Sequence, residues 1–344
     1  MNLVKNFLLT SISIILTILF IEINMEIFFP QEKNSSWRTQ DQKTGSYFNI
    51  KNGIAQHEYF GVSEKISVKY RFGEFHNREV VKDDKLKYKN KILILGDSHI
   101  FGWLLKDSET FTYSLQKKFN KYKFINASAG GWSDIDSFNY LKKFCKNIKP
   151  NKIFFFLEID RTIGSNLLSV DKNDKIKIKN LEINKVKKKF NQIYLLDYIS
   201  RHSNLFQLLK RAYLNRNIRN SINYIDDTRS LSIDEKVTIG IWDDHDLLIK
   251  FIERIDEEAK NCNSQITFID RGWYSKNSTS KIKNLVFESL IKKNQKKLIN
   301  FISLYDDMNE VRDNKNKYLL EEGHPNRLGN DVTFKALIKN LNIY

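Results

Sequence analysis

Residues 92 to 95 read Ile-Leu-Ile-Leu and stop on Gly96-Asp97-Ser98, where a helical pattern begins. A run this short and this rich in branched side chains is the composition of a strand buried on both faces, as happens where helices cover both sides of a parallel sheet. Ile153 to Leu157 and Gln265 to Ile269 repeat the pattern, and Lys123 to Asn126 and Asn300 to Leu304 are shorter candidates. Between them, helical spacing occupies about 110–119, 137–146, 247–260 and 282–298, with a last stretch at 331–341. The alternation predicts an α/β fold with about five parallel strands and right-handed crossovers.

In such a sheet, ligands bind beyond the carboxyl ends of the strands. Ser98 is predicted there, on a turn that Gly96 makes sharp, at a helix N-terminus whose free N–H groups favour negative charge. By itself a Gly-Asp-Ser triplet is an ordinary turn and cap. A second motif changes its meaning: Glu321-Glu322-Gly323-His324-Pro325-Asn326 places a base and carboxylates on one loop before the final helix. A serine hydroxyl needs a base within hydrogen-bond reach, and an imidazole suits that role at neutral pH. Its second nitrogen needs an acid to fix the tautomer, here Glu322 or Glu321. The other histidines, at 57, 76, 202 and 245, have no comparable setting, and His99 is expected to face the packing behind Ser98.

The 344 residues allow one large domain or two ordinary ones, without a fixed-period repeat. Fifty-seven Lys and Arg against 41 Asp and Glu give a net charge of +16. That excess is mostly lysine spread along the chain, and no RNA- or DNA-binding module is visible, so no nucleic-acid partner is expected. Two cysteines, Cys145 and Cys262, are too few for a zinc site or a disulfide scaffold and either pair or stay free. No metal or cofactor is expected.

Phe7 to Ile21 is almost wholly apolar, and the run continues past Glu22 and Glu26 to Pro30. No small-residue cleavage triplet follows, so an uncleaved signal anchor over 1–29 is expected, single-pass, with the remainder on the extracytoplasmic side. Fifteen clean residues fall short of the usual ~20, which calls for tilt, a thinned bilayer or Glu22 in the interface. Residues 30–90 read as a linker and small N-terminal strands such as Ile66 to Tyr70, and 91–344 as the main domain. A basic helical insertion at about 161–235 interrupts it. It contains Val186 to Phe190 and Leu205 to Tyr213, either a solvated helix face, a cap over the site, or a surface for an anionic polymer or the membrane.

Three blocks together resemble the GDSL-type, or SGNH, serine hydrolases over about 90–160 and 265–340. Gly96-Asp97-Ser98 is similar to the first block, Asn126-Ala127-Ser128-Ala129-Gly130-Gly131 to the second, and Gly323-His324-Pro325-Asn326 to the fifth. The resemblance implies a flavodoxin-like three-layer α/β/α domain behind the transmembrane helix. It implies Ser98 as nucleophile, His324 as base and an oxyanion hole built from the N–H groups of Ser98 and Gly131. The third block adds a side-chain amide in the family, and Asp160 stands at that place. An ionised Asp cannot donate. Either burial keeps it protonated, or Arg161 or another donor replaces it, or the alignment slips. The expected function is a serine esterase or O-acyltransferase acting on an ester, plausibly an O-acetyl group, of a cell-surface or exported glycan. The competing expectation is a catalytically impaired domain serving as a glycan-binding or assembly factor, motivated by Asp160.

Overall fold

The structure is a computed structural model that describes residues 2–32, 34–35, 37–81, 88, 90–159, 168–170, 176–178, 198–199, 202–210, 212, 245–274 and 281–341. Two compact units divide the chain. The first comprises residues 1–36, 55–68 and 184–227, and the second comprises 37–54, 69–183 and 228–344.

In the first unit, α1 spans Asn2–Phe28. Its stretch Val4–Phe28 is long and apolar enough to cross a membrane, and an 18-residue window within it has a mean hydropathy of 2.1. The polar residues after it are held by side-chain hydrogen bonds: Asn34 Oδ1 accepts from Glu58 N at 2.8 Å, and Ser35 Oγ from Gln56 N at 3.0 Å. A short helix at 204–210 and residues 55–68 also belong to this unit.

The second unit begins with β1 (Arg38–Gln40) and β2 (Tyr47–Asn49), an antiparallel hairpin within the stretch whose polarity reads as linker. Phe48 explains the order there. It is buried and meets Trp132, Tyr140 and Phe144 edge-on at 5.6 to 6.0 Å. Strands β3 (Ile54–Phe60) and β4 (Lys65–Arg71) form a second paired ribbon, most of which belongs to the first unit.

Next comes the α/β alternation: β5 (Asn90–Leu95), α2 (Ser98–Phe101), α3 (Phe111–Lys118), β6 (Tyr122–Asn126), α4 (Asp134–Ile148) and β7 (Lys152–Phe156). The short pair β8 (Leu168–Val170) and β9 (Ile176–Ile178) falls in the insertion, most of which lies outside the described residues. The chain continues with α5 (His245–Lys260), β10 (Gln265–Asp270), α6 (Lys281–Gln295) and β11 (Phe301–Ser303). It closes with α7 (Asn309–Asp313), α8 (Lys315–Tyr318) and α9 (Arg327–Asn340).

Five strands form one parallel sheet in the order β11-β10-β7-β5-β6. Alternation within each strand makes two cores. Leu93, Leu95, Ile153 and Phe155 pack with α4, α5 and α6 on one face, while Ile92, Ile94, Phe154 and Phe156 pack with α3 and α9 on the other. This is the expected three-layer α/β/α arrangement. Cys145 in α4 is disulfide-bonded to Cys262 just beyond α5.

The order also fixes where a site forms. From β5 the chain moves outward to β6, then returns across β5 to β7. Crossovers on either side of β5 therefore leave a crevice at its carboxyl end, the topological switch point of the sheet.

Candidate active site

Ser98 is the first residue of α2, directly after β5, and is buried. Asp97 caps the helix by accepting from His99 N at 3.0 Å. Gly96 is required by close approach, because a Cβ there would fall 2.7 Å from Ile100 Cγ1. Gly102 ends the helix in the left-handed region at φ 78°. Below this turn lies a buried cation that the sequence reading did not single out. Arg78 donates to the carbonyls of Phe101, Gly102 and Leu105 at 2.9, 2.6 and 2.7 Å and pairs with Asp107 at 3.1 Å. Burial pulls the Arg78 pKa down, with Tyr70 and Asp107 opposing it. Asn126 donates to Ile100 O at 2.9 Å and to Thr112 Oγ1 at 3.1 Å, binding the second block to the same helix.

His324 comes from the loop between α8 and α9. Leu320 N donates to His324 O at 2.7 Å and Gly323 N to Leu320 O at 2.9 Å, with Gly323 at φ 92°. Asn326 caps α9 through Gly329 N at 3.1 Å and donates to Lys317 O at 2.8 Å, so both ends of the loop are fixed.

Across 226 positions of sequence, His324 Nε2 meets Ser98 Oγ at 2.7 Å. Nδ1 of the same ring bonds Glu322 Oε2. When Nδ1–H donates to Glu322, the Nε2 lone pair is left to accept the Ser98 hydroxyl proton. Glu322 Oε1 is buried without a hydrogen-bond partner among the described residues, so the carboxylate's charge is directed at the imidazole rather than at solvent. Of the two acidic candidates, the structure brings Glu322 to the histidine, whereas Glu321 is exposed.

Gly130 lies next to the serine: a Cβ built on it would sit 3.9 Å from Ser98 Cβ and 3.0 Å from Trp37 Cη2. Gly131 follows at φ 76°. Arg38 Nη1 donates to Gly130 O at 2.5 Å, tying β1 to the peptide whose N–H belongs to Gly131. Burial lowers the Arg38 pKa, against the opposing charges of Tyr47 and Asp136. Trp37 joins Tyr70, Phe72, Phe101 and Trp103 in an aromatic wall with ring centroids 5.1 to 6.3 Å from its own, and Trp103 stands 6.3 Å from the His324 ring. Trp37 and Arg38 lie in the stretch read from sequence as linker. Only tertiary contacts give them a place.

His99 departs from its expected position. Its ring lies 4.6 Å from that of His324 and 5.4 Å from Trp273, on the same side as the serine. The cause is α2 itself: a single turn places successive side chains around its N-terminus, and the Asp97 cap fixes the His99 backbone there.

Arg271, just beyond β10, reaches two carboxylates. Its Nη1 is 3.1 Å from both oxygens of Asp97, and the guanidinium is 2.9 and 3.2 Å from the oxygens of Glu158. Burial alone would lower its pKa, but Asp97 and Glu158 outweigh that and hold it above the ordinary value. Asp160 and Arg161 lie outside the described residues. No group of three or more His, Cys, Asp or Glu side chains among the described residues is arranged to hold a metal ion.

A serine, a histidine and a glutamate in one hydrogen-bonded chain at the switch point of a parallel α/β sheet can perform proton-coupled attack on an electrophile. No protein-family model matches the sequence, and no curated protein matches it. Solved structures with likeness of fold include TesA, 12% identical with a TM-score of 0.41, over 73% of this chain and 97% of that one. Another is a member of the lipolytic protein G-D-S-L family from Veillonella parvula, 11% identical with a TM-score of 0.42, over 72% and 96% of the two chains. A third is the acetyl xylan esterase AlAXEase, 12% identical with a TM-score of 0.42, over 72% and 98%. The chemistry of the site is read from its own geometry.

Proposed function

We propose that the protein is a membrane-anchored serine esterase or O-acyltransferase of the SGNH type, working through an acyl-enzyme on an ester of a cell-surface or exported glycan. The observation that carries this reading is the continuous chain Ser98 Oγ, His324, Glu322 at the carboxyl end of β5. Ser98 Oγ attacks the ester carbonyl carbon while its proton passes to His324 Nε2. Glu322 stabilises the imidazolium by accepting from Nδ1–H. The carbonyl oxygen, now an oxyanion, is met by the N–H groups of Ser98 and Gly131, each donor being worth ~3 kcal/mol of barrier. Collapse breaks the ester C–O bond, and His324 returns the proton to the departing alkoxide. Water then completes hydrolysis of the acyl-enzyme, or a sugar hydroxyl completes transfer, giving its proton to His324 and regenerating Ser98.

The apolar length of Val4–Phe28 supports a membrane tether, and the Cys145–Cys262 disulfide fits an oxidising, extracytoplasmic setting. Hydrolysis of p-nitrophenyl acetate by the detergent-solubilised chain tests the reading. Turnover that vanishes in Ser98→Ala is expected, and equal turnover in that variant would overturn it. Acyl transfer to an added oligosaccharide, measured by mass spectrometry against free acetate, separates transferase from esterase.

A further inference from the structure

Glu22 and Glu26 interrupt an otherwise apolar helix one turn apart, and the first unit supplies both with partners. Ser203 Oγ donates to Glu22 Oε2 at 2.9 Å, Leu205 N to the same oxygen at 3.2 Å, and Asn204 Nδ2 to Oε1 at 3.0 Å. Asn204 N also donates to Glu22, and Asn204 Nδ2 to Glu26. Asn204 Oδ1 accepts from Gln31 N at 2.8 Å, just beyond α1. Asn204 is fully buried. The carboxylate of Glu22 thus satisfies the free N–H groups that open the 204–210 helix and meets the positive end of its dipole.

This attachment sets the depth of that helix. Val4 to Ile21 covers about 27 Å at 1.5 Å per residue, close to the ~30 Å of a hydrocarbon core. An ionised carboxylate inside that core costs roughly 3 kcal/mol or more, so Glu22 marks the level at which α1 leaves it. The helix bonded to Glu22 is at the same level. It is also two-sided: Asn204 and Gln207 are buried, whereas Leu208 and Leu209 are 45% and 58% exposed, and Tyr198 in the preceding turn is 50% exposed. Two adjacent leucines and a tyrosine in the open suit acyl chains and headgroups better than water. Lys210 ends the helix, and a basic residue near an anionic leaflet contributes about 1 kcal/mol.

We propose that Tyr198 and residues 202–210 form an interfacial membrane element. Leu208, Leu209 and Tyr198 enter the leaflet that α1 leaves, and Lys210 takes an anionic lipid headgroup. The inference rests on reading α1 as a membrane span, and it explains how so short a clean apolar run ends at Glu22 without stranding a charge.

The test uses the full chain in phosphatidylcholine–phosphatidylglycerol vesicles that carry a phosphatidylcholine with a diazirine high on its acyl chain. After irradiation, trypsin cuts at Arg201 and Lys210 and releases residues 202–210 as one peptide for mass spectrometry. Lipid adducts on both α1 and the 202–210 peptide are expected, with the latter lost in the Leu208→Gln/Leu209→Gln variant, which adds no tryptic site, while α1 stays labelled. Adducts on α1 alone would overturn the interfacial element and leave the span standing. Absence of adducts from α1 as well would overturn both.

Discussion

Removing Arg271 should deprive two buried carboxylates of the guanidinium that lies between them. Asp97 and Glu158 have side-chain exposures of 0% and 7%, and each lies within 3.2 Å of Arg271. Breaking a buried ion pair by deleting one partner costs ~3–5 kcal/mol, because the remaining charge is left without compensation. Asp97 keeps its bond to His99 N, which retains part of its solvation. Arg271→Met is therefore expected to lose about 3–4 kcal/mol of stability at pH 8, measured by urea unfolding followed by circular dichroism. The pH dependence identifies the cause. A buried carboxylate that loses a cationic partner has its folded-state pKa raised, and where that pKa exceeds the unfolded ~4 the penalty is complete above the folded pKa and recedes as pH falls towards 4. The deficit should be clearly smaller at pH 5 than at pH 8. A loss below about 1 kcal/mol, or one equal at both pH values, would refute the charge-separation argument.

Glu322→Gln should lower kcat by about 10²–10⁴ in ester hydrolysis, since the amide can hold the wrong tautomer, whereas Glu321→Gln should change it less than about twofold; reversed effects would reassign the acid. Arg38→Met is expected to reduce kcat roughly 10- to 100-fold with KM little changed, because the Gly130 carbonyl loses the donor that orients the next N–H; a change confined to KM would contradict this. At Asp41, burial raises the pKa but bonds from Lys143 and Thr44 outweigh it and hold the carboxyl below its ordinary value. Its folded pKa lies below the unfolded one, so the stabilisation is present above pH ~4 and is lost as pH falls through the folded pKa. Asp41→Asn should cost about 1 kcal/mol at pH 7 and nothing at pH 2 in chemical denaturation, Lys143 being partly exposed.

The central sheet is legible in the sequence because a strand buried on both faces needs an unbroken apolar run, and Leu93, Phe155 and Phe268 lie in such runs. Helix α5 is legible because it buries one face only, whereas α4 is buried all round from Asp134 to Leu141 and shows a helical alternation only in its last two turns. The N-terminal hairpin is not, since its order comes from distant partners: Trp132 Nε1 donates to Tyr47 O at 2.5 Å and Asn49 Nδ2 to Ser128 O at 3.1 Å. The same holds for Arg38, Arg78 and Arg271, each an ordinary arginine in a lysine-rich chain until a carbonyl or carboxylate far along the sequence meets it. Ser98 and His324 stand out because each sits at a glycine-marked turn before a helix. Spacing left Glu321 and Glu322 equal. The left-handed Gly323 turn and the His324 loop separated them.

Ser98 can act as the nucleophile only if His324, bonded to its hydroxyl at 2.7 Å, activates it. Full-length protein treated with a fluorophosphonate and mapped by mass spectrometry tests that activation directly. The adduct is predicted on Ser98, abolished by Ser98→Ala and strongly slowed by His324→Gln. Equal labelling of wild type and both folded variants, or an adduct on another serine, would contradict it.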